Sequence, residues 1–132
     1  MAIFVAERMV VERGRFYVAL AAAPAGSAAA IEASRSGLDT VMVDKARFPR
    51  DKCCGDGLTT GALRQLESLG LRPAELPSWT PIGEVHVVGP DRRSICFPLP
   101  DGPGLHAAVC RRRELDAALV QLAREAGAAV LE

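Results

Sequence analysis

YVALAAAPAGSAAAIEASRSGLDTVMVD, residues 17–44, decides how this chain is read. An apolar run ends in a turn of small residues, an alanine-rich segment follows, and a second apolar run closes on Asp44. That is the order of a βαβ dinucleotide-binding unit, whose turn lets a pyrophosphate rest against a helix N-terminus. In the usual turn, G-x-G-x-x-G, the first glycine supplies the tight bend and the second lets the backbone approach phosphate. The third permits close helix–strand packing. Here Ala21, Ala23 and Gly26 hold those places, so only the packing glycine is present. If either alanine must adopt a positive φ, it costs about 1 kcal/mol or more. A buried βα turn without a ligand is the competing reading of this stretch taken alone.

Outward from the turn, residues 16–20 are continuously apolar, as a buried parallel strand is. Pro24 suits a first helical turn, where its missing N–H is no loss. Gly37 is placed to end the helix in a left-handed cap. Residues 39–43 then read as the second strand, ending at Asp44. An acid about 20 residues beyond the turn is where an adenosine ribose finds its acceptor.

Residues 1–15 do not fit this unit, because its first strand usually lies close to the N-terminus. They read as an extension, either a short amphipathic helix over residues 5–11 or an extended arm. A tag-like addition or a displaced start is the expected origin. Residues 16–132 form the domain proper. Downstream, Thr59 or Thr60 can cap a helix through Leu63, Leu66 and Leu69 that stops at Gly70. Residues 84–88 and 94–97 flank GPDRR and predict a hairpin. Residues 105–110 read as extended. A helix over residues 113–126 carries Leu115, Leu119, Leu122 and Ala126 on one face and ends at Gly127. Residues 128–132 begin a third parallel strand.

Composition narrows the function classes. The chain has 132 residues, with 16 basic and 16 acidic side chains, enough for one cored domain. Zero net charge gives no electrostatic reason to expect nucleic acid or an anionic membrane. Charged residues interrupt the N-terminus, so no secretory signal is read. The longest nearly uncharged stretch, residues 16–31, is too short to span a bilayer. Cys53, Cys54, Cys96 and Cys110 lack zinc-like spacing, and reduced thiols in the cytoplasm are the default. His86 and His106 stand isolated in strand-like contexts, so no metal site is expected. Cys53 and Cys54 read as one buried and one exposed thiol.

Two further segments carry specific information. KARFPRDKCCGDGL, residues 45–58, is a charged, glycine-containing loop directly after Asp44. VCRRRELDAALVQLAREAGA, residues 109–128, enters a helix with Arg112, then Asp116, then Leu119. Together with PAGSAAA and the acid that follows it, these segments resemble the geranylgeranyl reductase family of FAD-dependent oxidoreductases. Flavin aromatic hydroxylases and halogenases are relatives of that family. The likeness covers residues 16–132.

The resemblance implies an α/β, Rossmann-like FAD-binding domain with a parallel sheet and a β-hairpin insertion, here truncated before completion. It implies that the turn residues Ala23, Ala25 and Gly26 face the cofactor. Asp44 would hold the ribose, and Lys45 would lie near the adenine. The loop residues Arg50, Lys52, Cys54 and Gly55 would wrap the flavin side, and Arg112 would approach the phosphates, where a guanidinium fork suits the oxygens. Against that last role, Arg111, Arg112 and Arg113 at a helix start oppose the dipole unless an acid such as Glu114 or Asp116 faces them. A solvated charge run is the alternative.

The expected parent reaction is reduction of isoprenoid double bonds, with NAD(P)H or another donor reducing the flavin. A flavin monooxygenase or halogenase acting on an aromatic substrate is the alternative within enzymes. No residue is assigned as a catalytic acid, base or nucleophile, because the hydride chemistry belongs to the flavin. The family's later Gly-Asp motif and its substrate domain are missing from the sequence, so the chain alone is expected to be inactive. A degenerate remnant that does not bind FAD is the reading from a different class.

Overall fold

In a computed structural model, residues 8–12, 15–53, 55–100 and 106–131 are described. The chain runs β1 (Arg8–Glu12), β2 (Arg15–Ala21), α1 (Pro24–Arg35), β3 (Asp39–Val43), β4 (Gly57–Thr59) and α2 (Thr60–Ser68). It continues through a 3-10 turn (Pro73–Glu75) to β5 (Thr80–Pro81), β6 (Glu84–Val88), β7 (Ser94–Pro98), β8 (Ala107–Val109), α3 (Arg112–Glu125) and β9 (Ala129–Leu131).

The main sheet has the order β1-β2-β3-β9. β2, β3 and β9 are parallel, with Ala19 opposite Val41 and Met42 opposite Val130. Sequence order β2-α1-β3 therefore builds the expected crossover unit, and β9 extends the sheet on the far side of β3. β1 pairs antiparallel with β2 at the edge, from Arg8 opposite Ala19 to Glu12 opposite Arg15. Of the two readings open for residues 5–11, the described part takes the extended one.

β3 shows why these residues form a strand. Thr40 and Met42 are buried while Asp39 and Val43 are exposed, the period-two pattern of a sheet covered on one face. α1 lies over β2 and β3 and packs against α3. Its buried residues are Gly26, Ser27, Ala30 and Ile31, three of them small enough to let backbones approach. Gly37, Gly70 and Gly127 take φ of 80°, 89° and 103° after their helices, the left-handed stop that lacks a Cβ clash. α2 is also closed from outside, because Arg35 of α1 donates to the carbonyls of Ser68 and Leu69 at 3.1 and 2.9 Å.

The core collects Ile31, Met42, Leu66, Leu69, Leu71, Leu76, Leu115, Leu119, Val120 and Ala123. On α3 the buried face is Arg112, Leu115, Asp116, Leu119, Val120 and Ala123, with Leu122 and Ala126 only partly covered. The leucine stripe alone thus misplaced the centre of that face, because two charged residues that satisfy each other can be buried beside it. β4, β8 and β5 form a small antiparallel sheet in that order, a pairing between short segments that sequence pattern did not show. No described helix is long and apolar enough to cross a membrane.

Candidate functional site

The carboxyl ends of the parallel strands meet the start of α1 at residues 22–24. Ala22 donates its N–H to the Val43 carbonyl at 3.2 Å, and Asp44 donates its own to the Leu131 carbonyl at 3.0 Å. Ala23 is the N-cap at φ −140°, ψ 171°, extended backbone that any residue adopts. Ala21 belongs to β2, and Arg92 is the one non-glycine residue with positive φ among those described. Neither alanine is strained, so the conformational penalty considered for this turn does not arise.

Alanine at the N-cap has no side chain to satisfy the first helical turn, and α1 has no side-chain cap. Pro24 removes one donor, and Ser27 uses its N–H on the Ala23 carbonyl at 2.7 Å. The N–H groups of Ala25 and Gly26 remain as the orphan donors of the helix start. Ala25 is exposed and Gly26 is buried. The Ser27 hydroxyl is fully buried and has no hydrogen-bond partner.

Asp44 follows directly on β3, but its carboxylate is already engaged. Oδ1 accepts from the Ala46 N–H at 3.0 Å, and Oδ2 accepts from Arg50 Nη2 at 2.9 Å. The same Arg50 nitrogen donates to the Ala22 carbonyl at 2.9 Å. Arg50 therefore ties the βα turn to the end of β3, with its guanidinium 4.9 Å from the centre of the Phe48 ring. Its Nε is buried without a partner. An ionised carboxylate offers about four acceptor positions, so Asp44 retains capacity for a ligand hydroxyl.

Lys45, Lys52 and Gly55 are exposed. Cys54 lies outside the described residues. Asp51, Lys52, Cys53, Gly55 and Asp56 line an open cleft of about 490 Å³. The far end of the loop is anchored at the start of α3. The Asp56 carbonyl accepts from the Cys110 N–H at 3.0 Å, and its Oδ1 accepts from the Arg112 N–H at 3.2 Å. The Arg112 side chain points a two-pronged fork at Asp116, Nε to Oδ1 at 2.8 Å and Nη2 to Oδ2 at 2.9 Å. Asp116 is fully buried, so the acid weighed as a neighbour of the arginine run supplies the compensation. Sequence reasoning singled out Arg50 and Arg112 but missed Asp56, Ser78 and the Ser27 hydroxyl. The signal for Ser27 was its position directly after the packing glycine; Asp56 and Ser78 carried none.

Ser78 braces the same helix start. Its N–H donates to Glu114 Oε2 at 2.8 Å, and its Oγ accepts the Arg111 N–H at 2.9 Å. Hydrogen bonding by Ser78, side chain first and then backbone, holds the Glu114 carboxyl below its usual range, with Arg111 and Arg113 adding to the effect. A lowered folded-state value gives stability that is present above the ordinary carboxyl pKa and lost as pH falls through the lowered one. Glu114→Gln should therefore flatten the acid-side fall of the urea midpoint. An unchanged fall would show that Glu114 does not contribute. Cys110 is the opposite case: burial raises its thiol, hydrogen bonding by Ser78 offsets part of that, and the charges of Glu114 and Asp56 add to the rise.

A parallel βαβ unit with an uncapped helix start and an acid at the end of its second strand defines a Rossmann-like dinucleotide-binding fold. Solved structures that this chain resembles include flavin-dependent enzymes. A flavin-dependent brominase superposes with a TM-score of 0.72 at 25% identity, covering 86% of this chain and 28% of its own. A geranylgeranyl bacteriochlorophyll reductase-like protein of Thermoplasma acidophilum gives 0.68 at 27% identity, covering 85% and 28%. Among curated proteins, the menaquinone reductase of Mycolicibacterium smegmatis is 42% identical over 120 residues, 86% of this chain. That of Mycobacterium tuberculosis is 40% identical over 133 residues, 93% of this chain. The chain spans 28% and 30% of the length of these two relatives. No protein-family model matches it. The likeness is to flavin-dependent oxidoreductases and halogenases as a class.

Proposed function

We propose that this chain is the N-terminal FAD-binding portion of a flavin-dependent oxidoreductase that reduces isoprenoid double bonds. The observation that carries the reading is the start of α1. It is reached through an unstrained, extended Ala23 and left without a side-chain cap, above the buried and unpartnered Ser27 hydroxyl. Orphan N–H groups at a helix start, backed by the dipole, suit a diphosphate. In this reading Ala23, Ala25 and Gly26 border the diphosphate, Asp44 takes the ribose, and Lys45 lies toward the adenine. Arg50, Lys52, Cys54 and Gly55 form the loop on the flavin side. Arg112, held by Asp116, fixes the edge nearest the phosphates.

FAD would supply two-electron redox chemistry, with NAD(P)H as one candidate donor. This chain's residues would bind and orient it. The relatives named menaquinone reductases favour a polyprenylated quinone over an aromatic halogenation substrate, because a menaquinone carries the isoprenoid double bonds that the family resemblance calls for. The bond reduced is in the prenyl tail, and the readout in a protein of the relatives' full length is a gain of two hydrogens on that tail.

The cofactor reading is tested on the chain itself. Incubated with FAD and desalted, it should retain flavin, read by visible absorbance. Ala25→Glu places a carboxylate in the first turn, where it should stabilise the helix by about 0.3–1 kcal/mol while repelling a diphosphate. A raised urea midpoint with lost flavin is the expected pair of results. An unmodified chain that retains no flavin, or equal retention by both proteins, overturns the proposal.

A further inference from the structure

β6 and β7 form a two-stranded hairpin whose two faces differ. The register places Val85 opposite Phe97 and Val87 opposite Ile95, all exposed on one face. His86 lies opposite Cys96 on the other, and the period of two puts Glu84 on that same face. Glu84 Oε1 lies 2.9 Å from His86 Nε2, and Cys96 Sγ donates to Glu84 Oε2 at 3.3 Å. The three donor atoms all lie within 4.8 Å of one another. His86 is therefore not isolated, contrary to the sequence reading. Glu84 lies two residues away on the same strand, and Cys96 is brought beside them only across the ladder.

We propose that Glu84, His86 and Cys96 form a zinc site with three protein ligands and a fourth position open to water. Zinc bonds of about 2.0–2.3 Å to oxygen, nitrogen and sulfur set tetrahedral ligand separations of roughly 3.5 Å. Side-chain rotation on exposed positions covers the remaining distance without moving the strands. The donor set selects the metal class. Imidazole with thiolate favours zinc or cobalt, whereas calcium and magnesium favour sets made of oxygen alone. On binding, the Cys96 thiol loses its proton to solvent and the thiolate becomes the ligand. Glu84 gives up its hydrogen bonds to His86 and Cys96 in exchange for a metal bond. The two anionic ligands then balance the charge of the ion.

The site also answers a stability problem in the hairpin. All ten residues of β6 and β7 are exposed, and a two-stranded ribbon is marginal in water on its own. A metal bridging His86 and Cys96 ties the strands at a register pair. This inference is independent of the flavin reading, because none of the three residues is assigned to the cofactor.

The experiment titrates cobalt into the full chain carrying Cys53→Ser and Cys54→Ser, so that the loop thiols cannot contribute. One equivalent should produce a thiolate-to-cobalt charge-transfer band together with the visible bands of tetrahedral cobalt, and zinc should displace it. Cys96→Ser should abolish the charge-transfer band. His86→Gln should weaken binding by roughly tenfold or more, since losing even an outer partner of a metal ligand costs that much. Cys110→Ser should leave the titration unchanged, because that thiol is buried away from the hairpin. Circular dichroism before titration confirms that each variant is folded. Absence of the band, or a band that survives Cys96→Ser, overturns the proposal.

Discussion

Replacing Arg112 by methionine is expected to destabilise the chain by about 3–5 kcal/mol, the usual result of breaking a buried ion pair from one side. Both oxygens of Asp116 accept from the Arg112 guanidinium, and Asp116 is fully buried. Methionine fills much of the same volume but donates nothing, so the carboxylate loses its charge partner in a low-dielectric setting. A second substitution tests this assignment. Adding Asp116→Leu removes the stranded charge and should recover most of the loss, because a well-packed apolar pair is often as stable as a buried ionic one. Urea midpoints of the four proteins in the cycle give the coupling directly. A double variant no more stable than Arg112→Met would show that the arginine acts through other contacts.

Arg50→Ala should cost about 1.5–3 kcal/mol, the range for hydrogen bonds to charged groups, and should disturb the site more than the core. One nitrogen bridges the Ala22 carbonyl and Asp44 at 2.9 Å each, with side chains only 17% and 11% exposed. Solvent screening is therefore limited. Without the bridge, the loop after β3 is no longer fastened to the turn that begins α1. Flavin affinity should fall by about tenfold or more, and Arg50→Lys should restore it only in part, since an ammonium is a point charge on a flexible stem. Equal flavin affinity in Arg50→Ala and the unmodified chain would remove the loop from the binding site.

The contrast between these two arginines shows how far the sequence could be read. Both stood out as basic residues in segments resembling a flavoprotein family, and in the structure each pairs with a carboxylate. Their partners were a different matter. Asp116 is one helical turn from Arg112, and the i,i+4 spacing made it a visible candidate. Arg50 instead reaches Ala22, whose carbonyl carries no sequence signal at all. Asp56 looked like part of a turn, yet it fastens two backbone N–H groups at the start of α3. The hairpin gives the sharpest case: His86 and Cys96 were judged separately and dismissed, and strand pairing brings them together.

The turn at residues 21–26 changed meaning in the opposite direction. Two missing glycines looked like damage, because a glycine fingerprint is usually explained by positive φ and close approach. The observed backbone at Ala23 is extended, so alanine fits its conformation without strain. What Ala23 can still affect is how near a ligand comes, since its Cβ occupies space beside the helix start.

By itself the sequence determined the succession β2-α1-β3, the ends of the three helices among the described residues and the existence of the β6–β7 hairpin. These are local properties: hydrophobic period, small-residue turns, and glycines that alone stop a helix in a left-handed conformation. Tertiary structure decided the partners of Arg50, Arg112 and Asp44, the small β4-β8-β5 sheet, and the meeting of Glu84 and His86 with Cys96. Each of those depends on where a distant backbone or side chain is delivered by packing and strand register. A charged or ligating residue names the chemistry it can do, and the fold selects which partner it does it with.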